Sequence, residues 1–343
     1  MNKNQKTILV VDDASENIDV LTEILSPEYR IKAATNGERA LKISAFENTP
    51  DLILLDIMMP DMDGYEVCRI LKSDPRTKNL PVIFVTAKGE VTDEAQGFEL
   101  GAVDYITKPV NPALVRARVQ TQIALYDQNR TLEEKVNQRT AELIQTRQEI
   151  IIRLGRAAEF KDNETGMHVI RMSHYSRIIA KAINLDEKEV DLIFNAAPMH
   201  DIGKIGVPDK VLLKPGKLDA GEWEIIKKHP EFGASIIGEH ESELLKIAHL
   251  AALTHHEKWN GKGYPHGLIG DEIPLVGRVV AIADVFDALT TDRPYKDAWP
   301  IEKAVNLIKE ESGQHFDPEL SDAFLASLDE ILVFKKKYAE TAV

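Results

Sequence analysis

Five strand-like runs crowd the first 110 residues of this 343-residue chain. The runs are TILVVDD (7–13), YRIKAAT (29–35), DLILLD (51–56), PVIFVTA (81–87) and DYITKP (104–109). They are apolar and largely uninterrupted, as strands buried on both faces are. Amphipathic helical patterns separate them, and that alternation predicts a parallel, doubly wound α/β sheet over residues 1–122. From residue 156 onward strand patterns almost vanish. HVIRMSHYSRIIAKAI, EKEVDLIFNAAPMH, AGEWEIIKKH, EFGASIIGEH, ELLKIAHLAALTHH, VGRVVAIADVFDALT and IEKAVNLIKE read as helices. Residues 151–343 are therefore expected to form an all-α domain, in a multidomain chain.

Between these halves, Leu114 to Leu154 contain no Gly or Pro and are rich in Glu, Gln, Arg and Leu. This predicts a long helix, with 123–150 as the linker. Val136, Leu143 and Ile150 recur every seven residues, and Leu132 precedes the first by four. Arg139 and Thr146 interrupt the seam. The pattern favours a helix that pairs with a second copy, making a homodimer; a lone solvated linker is the other reading. The 56 acidic and 42 basic residues give a net charge of −14, which argues against a nucleic-acid polymer or an anionic membrane as partner. The N-terminus lacks a secretory apolar region, and no apolar run approaches the roughly 20 residues of a membrane span. Cys68 is the only cysteine, so no internal disulfide can form. A cytoplasmic protein is expected.

In a doubly wound sheet, ligands sit at the carboxyl ends of the strands. Those ends carry Asp12 and Asp13, Asp56, Thr86 and Lys108. Three crowded carboxylates need a cation, and oxygen-only ligands suit Mg²⁺. A hydroxyl and a lysine opposite them can hold a phosphoryl group placed on an aspartate. The motifs VVDD, DIMMPDMDG, TA after the fourth run, and KP resemble the receiver domain of bacterial response regulators. The resemblance implies a flavodoxin-like fold. It makes Asp56 the phosphoacceptor, Asp12, Asp13 and Asp56 the Mg²⁺ ligands, Thr86 and Lys108 phosphate sensors, and Tyr105 the switch aromatic. A sensor histidine kinase would be the phosphate source.

The helical half holds a second constellation: Glu164 and His168, the pair His200–Asp201, His229, the pair His255–His256, and Asp284. Glu164 and His168 are spaced i,i+4 and would share a face if helical. Imidazole mixed with carboxylate suits Fe, Mn or Zn better than Mg. Eight ligands exceed the needs of one ion. Asp201 could bridge two ions while His200 binds one, and two ions about 3.5–4 Å apart suit in-line attack on phosphorus. Glu164 and His168 leave room for a third. His174, His240, His249, His266 and His315 are read as ordinary surface or core histidines.

The stretches DNETGMH, HDIGKIGVPD, HHEKWNGKGYP and IPLVGRVVAIADVFDALTTDRPYK resemble the HD-GYP branch of the HD-domain metal-dependent phosphohydrolases. The resemblance implies a phosphodiesterase that opens cyclic di-GMP to pGpG, or on to GMP, with metal-activated water. It places all eight residues above as ligands of two or three divalent transition metals, with Fe or Mn favoured. It makes Asp201 and Lys204 catalytic. Lys204, Arg293 and Lys296 would bind phosphate, and Gly263, Tyr264 and Pro265 form the signature loop near the substrate. Two rivals stand beside this reading. One is a phosphodiesterase for another cyclic dinucleotide, cyclic GMP-AMP. The other is a catalytically idle relay that contacts partners such as GGDEF-domain proteins.

Overall fold

The structure, a computed structural model, describes residues 5–45, 49–87, 95, 97–162, 166–292 and 297–339. Two compact units divide the chain, Met1–Thr140 and Ala141–Val343. In the first, β1 (Thr7–Val11), β2 (Arg30–Ala34), β3 (Leu52–Asp56), β4 (Val82–Ala87) and β5 (Asp104–Lys108) form one sheet in the order β2-β1-β3-β4-β5. All four pairings are parallel. Strand alternation sorts the core onto two faces. Leu9, Val11, Ile53, Leu55 and Phe84 pack on one face, with Val67 and Leu71 of helix Gly64–Ser73. Ile8, Val10, Leu52, Leu54 and Ile83 face the other way, toward helix Ser15–Leu25 and Val115 and Val119. The inner strand β3 is buried throughout. The edge strand β2 exposes Arg30 and is less apolar for that reason.

The fifth strand leads into one helix, Pro112–Lys161, which spans the predicted linker without a break. Every residue from 128 to 147 is exposed within the chain. Leu132, Val136, Leu143 and Ile150 are all exposed.

The second unit is helical. Helices Met167–Ala182 and Leu275–Thr290 form its centre, where Met172, Tyr175, Ile179, Val279, Ile282 and Phe286 pack together. Phe316, Phe324 and Ile331 close the core from the C-terminal side. Two helices that the sequence reading did not single out, Pro318–Ala326 and Leu328–Lys337, supply Phe324 and Ile331. No helix of the described residues is long and apolar enough to cross a membrane.

One local break matters most. Helix Glu187–Ala196 ends before Pro198 and gives way to two 3-10 turns, Ala197–Met199 and Ile202–Gly206. Asp201 lies between them at φ −100°, ψ 10°. Gly203 lets the second turn press on helix His229–Ile237: a Cβ there would fall 1.8 Å from the His229 carbonyl oxygen.

Candidate functional site

The break at Ala196 is what makes the His200–Asp201 pair converge. In a continuous helix, adjacent side chains diverge by about 100°. Here His200 Nε2 lies 3.3 Å from Asp201 Oδ2. Asp201 Oδ1 faces a different group, 3.2 Å from His229 Nε2 and 3.5 Å from His255 Nε2. The donor atoms sort into two sets within 4.8 Å: Asp201, His229, His255 and His256, and then His168, His200 and Asp284. Asp201 thus turns one oxygen to each set.

Each inner imidazole is oriented through its other nitrogen. Nδ1 of His200 donates to the Ala197 carbonyl at 3.0 Å, that of His229 to Ile226 at 2.8 Å, and that of His255 to Ala252 at 3.0 Å. A carbonyl only accepts, so Nδ1 carries the proton and Nε2 presents a lone pair. His168 is held instead by a side chain. Its Nδ1 lies 2.8 Å from Asp287 Oδ2, and Arg171 grips both oxygens of Asp287 from behind. On the far side His168 Nε2 lies 3.4 Å from Asp284 Oδ1 and 3.6 Å from Glu159 Oε1.

The charges fit a cation site. Burial opposes ionisation of Asp201, yet the Lys204 ammonium beside it holds its carboxyl well below the usual range. Burial also opposes a charge on His168, but Glu159, Asp284 and Asp287 raise its pKa well above that of a free imidazole. The negative surroundings that attract a proton there would attract a metal ion. Burial pushes His256 the opposite way, which keeps it neutral. Nε2 of His200 and Oδ1 of Asp201 are fully buried with no hydrogen-bond partner. Such atoms are costly unless something polar or charged completes them. The donor set of imidazoles and carboxylates suits divalent transition metals.

Above these donors lies a cavity of about 250 Å³. Asp201, His229, His256 and Asp284 line its polar side, and Val207, Leu212, Trp223 and Ile226 its apolar side. Lys204 enters it with Nζ 2.9 Å from Asp201 Oδ2 and 2.8 Å from Asp162 Oδ2. Tyr264 also lines it and stacks on His256 at 4.7 Å. Burial, with Asp201 and Asp284 nearby, raises the Tyr264 hydroxyl pKa and keeps it protonated. Glu257 organises this loop: it accepts from the backbone N–H of His266 at 2.8 Å and of Leu268 at 3.0 Å. Gly263 has no room for a side chain, since a Cβ would lie 2.3 Å from the Lys258 nitrogen. Pro265 follows Tyr264 through a cis peptide.

Of the residues singled out in the sequence, Glu164, Arg293 and Lys296 lie outside the described residues. The helix carrying His168 begins at Met167, after Gly166 at φ 71°. Glu159, Asp162, Glu257, Asp287 and Arg171 were not singled out. Asp287 had a signal, since it follows Asp284 by three on one helix.

In the first unit, Asp12, Asp13 and Asp56 bring donor atoms within 4.8 Å. Lys108 Nζ bridges Asp12 and Asp56, 2.8 Å from Asp12 Oδ2 and 2.7 Å from Asp56 Oδ2. Burial raises the Asp56 pKa against the pull of Lys108. Thr86 Oγ1 donates to the Ala87 carbonyl at 3.0 Å. Tyr105 packs edge-on against Phe98, with centroids 6.1 Å apart, and carries Arg118 over its ring.

Comparison with known proteins agrees with both halves. Residues 8–120 match the response regulator receiver domain family, and residues 132–320 the HD domain family. A probable cyclic di-GMP phosphodiesterase of Vibrio cholerae is 42% identical over 98% of this chain and 81% of its own length. The cyclic di-GMP phosphodiesterase response regulator RpfG of Xanthomonas campestris is 38% identical over 94% of this chain and 89% of its own. A 3'3'-cGAMP-specific phosphodiesterase 2 of Vibrio cholerae is 45% identical over 57% of this chain, but that match covers 37% of the relative. The chain belongs to the response regulators that join a receiver domain to an HD domain, the family of the first two of these relatives.

Proposed function

We propose that the second unit hydrolyses cyclic di-GMP to pGpG, or on to GMP, and that phosphorylation of Asp56 controls it. The observation that carries this reading is Asp201, whose two oxygens face separate donor sets while Lys204 sits on the same carboxylate. His229, His255 and His256 with Asp201 would hold one cation, and His168, His200 and Asp284 with Asp201 another. Glu164 is the candidate ligand for a third. The imidazole share favours Fe or Mn. Such ions, when bound, supply a water of lowered pKa and neutralise charge growing on phosphoryl oxygens.

The chain's own groups do the rest. Lys204 neutralises a phosphoryl oxygen beside Asp201. Arg293 and Lys296 grip phosphate. Tyr264 and the exposed Trp223 flank the cavity and give a purine base two aromatic faces. Gly263 and Pro265 hold Tyr264 in place. In the receiver, the Asp56 carboxylate takes a phosphoryl group from a sensor histidine kinase. Asp12 and Asp13 hold Mg²⁺, and Thr86, Lys108 and Tyr105 report the change. The exposed apolar positions of the long helix make the protein a homodimer.

The test is product analysis on cyclic di-GMP with protein loaded anaerobically with Mn²⁺ or Fe²⁺. Formation of pGpG or GMP, lost with the metal, supports the reading. A fully loaded protein that leaves the ring intact would overturn it. The V. cholerae relative named for 3'3'-cGAMP favours a second reading, and a higher kcat/KM on that nucleotide would assign it.

A further inference from the structure

The last turn of the long helix touches the catalytic turn at two points. Lys161 Nζ donates to the carbonyl oxygens of Ile205 at 2.8 Å and Val207 at 2.5 Å, and lies 3.4 Å from that of Lys204. These three carbonyls belong to the end of the 3-10 turn that carries Lys204. The Lys204 carbonyl also accepts from the Val207 N–H at 3.1 Å, whereas a turn end leaves its last carbonyls without such a partner, so a lysine that collects those of Ile205 and Val207 fixes the local path. Asp162, the next residue, accepts from the Lys204 ammonium at 2.8 Å. Asp201 holds the same ammonium at 2.9 Å. Two carboxylates therefore set the direction of the Lys204 head group, and one of them hangs from the helix end. On its other side the turn is pressed against helix His229–Ile237 through Gly203. Lys161 and Asp162 hold the opposite side.

We propose that Lys161 and Asp162 are positioning residues for Lys204, and that a displacement of the long helix alters turnover through them. The helix runs unbroken from Pro112 in the first unit to Lys161 in the second. Whatever moves its first turns acts on Lys204 with no intervening loop. The proposal rests on the phosphodiesterase reading and deepens it by naming the route of control.

The experiment is a set of double-mutant cycles in the full-length, metal-loaded protein. The substrates are cyclic di-GMP and bis(p-nitrophenyl) phosphate, so that the result does not hang on the nucleotide. Asp162→Asn should lower kcat about 10- to 100-fold, the effect of one lost charge-assisted hydrogen bond, with KM little changed. Lys161→Met should act in the same direction, and Lys161→Arg should restore most of the rate. In a Lys204→Ala background either change should cost within about twofold, the additivity limit for independent sites. Metal content, measured by elemental analysis, should stay at the wild-type level in all of them. Equal losses with and without Lys204, or loss of metal, would overturn the positioning role. Control is read as the ratio of rates with and without beryllofluoride. Lys161→Met should bring that ratio close to one, and retention of the full wild-type response would overturn the route. A wild-type protein that does not respond at all sinks receiver control instead, while the cycles still decide the positioning.

Discussion

The Nε2 atoms of His229 and His255 lie 3.3 Å apart, and both rings donate Nδ1–H to backbone carbonyls. Two lone pairs thus face each other, an arrangement that repels until a cation stands between them. Removing the metal should lower the Tm of the second unit. If the ions are present at about 100 times their Kd, binding adds about 2.7 kcal/mol, which corresponds to roughly 5–10 °C in a domain of this size. Calorimetry before and after chelation checks it, and an unchanged Tm would count against a metal centre.

Asp201 and Lys204 should separate cleanly. Asp201→Ala removes an oxygen from both donor sets, so metal and activity should fall together. Lys204→Ala should keep its metal and lose kcat by about 10²–10³-fold, as for loss of an oxyanion donor. Elemental analysis alongside turnover distinguishes the two.

Asp56→Asn should abolish labelling by a small phosphodonor with Mg²⁺, because the attacking oxygen bonded to Lys108 is replaced by an amide. Undiminished labelling, read by intact mass, would move the phosphoacceptor elsewhere.

Trp223 is exposed on the apolar wall of the cavity. Trp223→Ala should raise KM for cyclic di-GMP about 10-fold, within the ~1–3 kcal/mol of a base–aromatic stack, while Trp223→Phe should stay near wild type. The chain holds three tryptophans, so the fluorescence quench on nucleotide binding should shrink in the Phe variant. Equal KM values in all three proteins would remove Trp223 from the site.

The exposed seam gives a quaternary prediction. Val136→Glu with Leu143→Glu should weaken self-association on the order of 100-fold, from lost apolar burial. Sedimentation across a concentration series measures it. Wild-type protein that stays monomeric at the highest concentration contradicts the seam.

The sheet was legible because short apolar runs such as LILLD alternate with amphipathic helical patterns; the run alone does not decide, since VVAIA inside helix Leu275–Thr290 is equally apolar. The donor cluster was legible because His200–Asp201 and His255–His256 each place two ligand-type side chains next to one another in sequence, and the fold gathers them with His168, His229 and Asp284 into two close sets. What stayed hidden was tertiary. Glu159 and Asp162 look like ordinary charges at a helix end, and only the fold brings them to His168 and Lys204. Helices Pro318–Ala326 and Leu328–Lys337 were not singled out because their apolar residues are interspersed with charge and only tertiary packing selects their buried faces. The conformation of Asp201 between two turns was invisible too, because it depends on Gly203 meeting a helix that follows later in the chain.

The way the four inner imidazoles are held has a consequence for how such a site can change by mutation. His200, His229 and His255 lean on carbonyls of their own turns, and no amino-acid replacement deletes a carbonyl. His168 leans on Asp287, which any single substitution can remove. Genetic fragility is therefore uneven across the centre. The arm built on His168 can be lost in one step while the Asp201–His229–His255 arm keeps its geometry. A substitution far along the chain can thus release the His168 ring, while the rings of His200, His229 and His255 keep their backbone partners whatever side chains surround them.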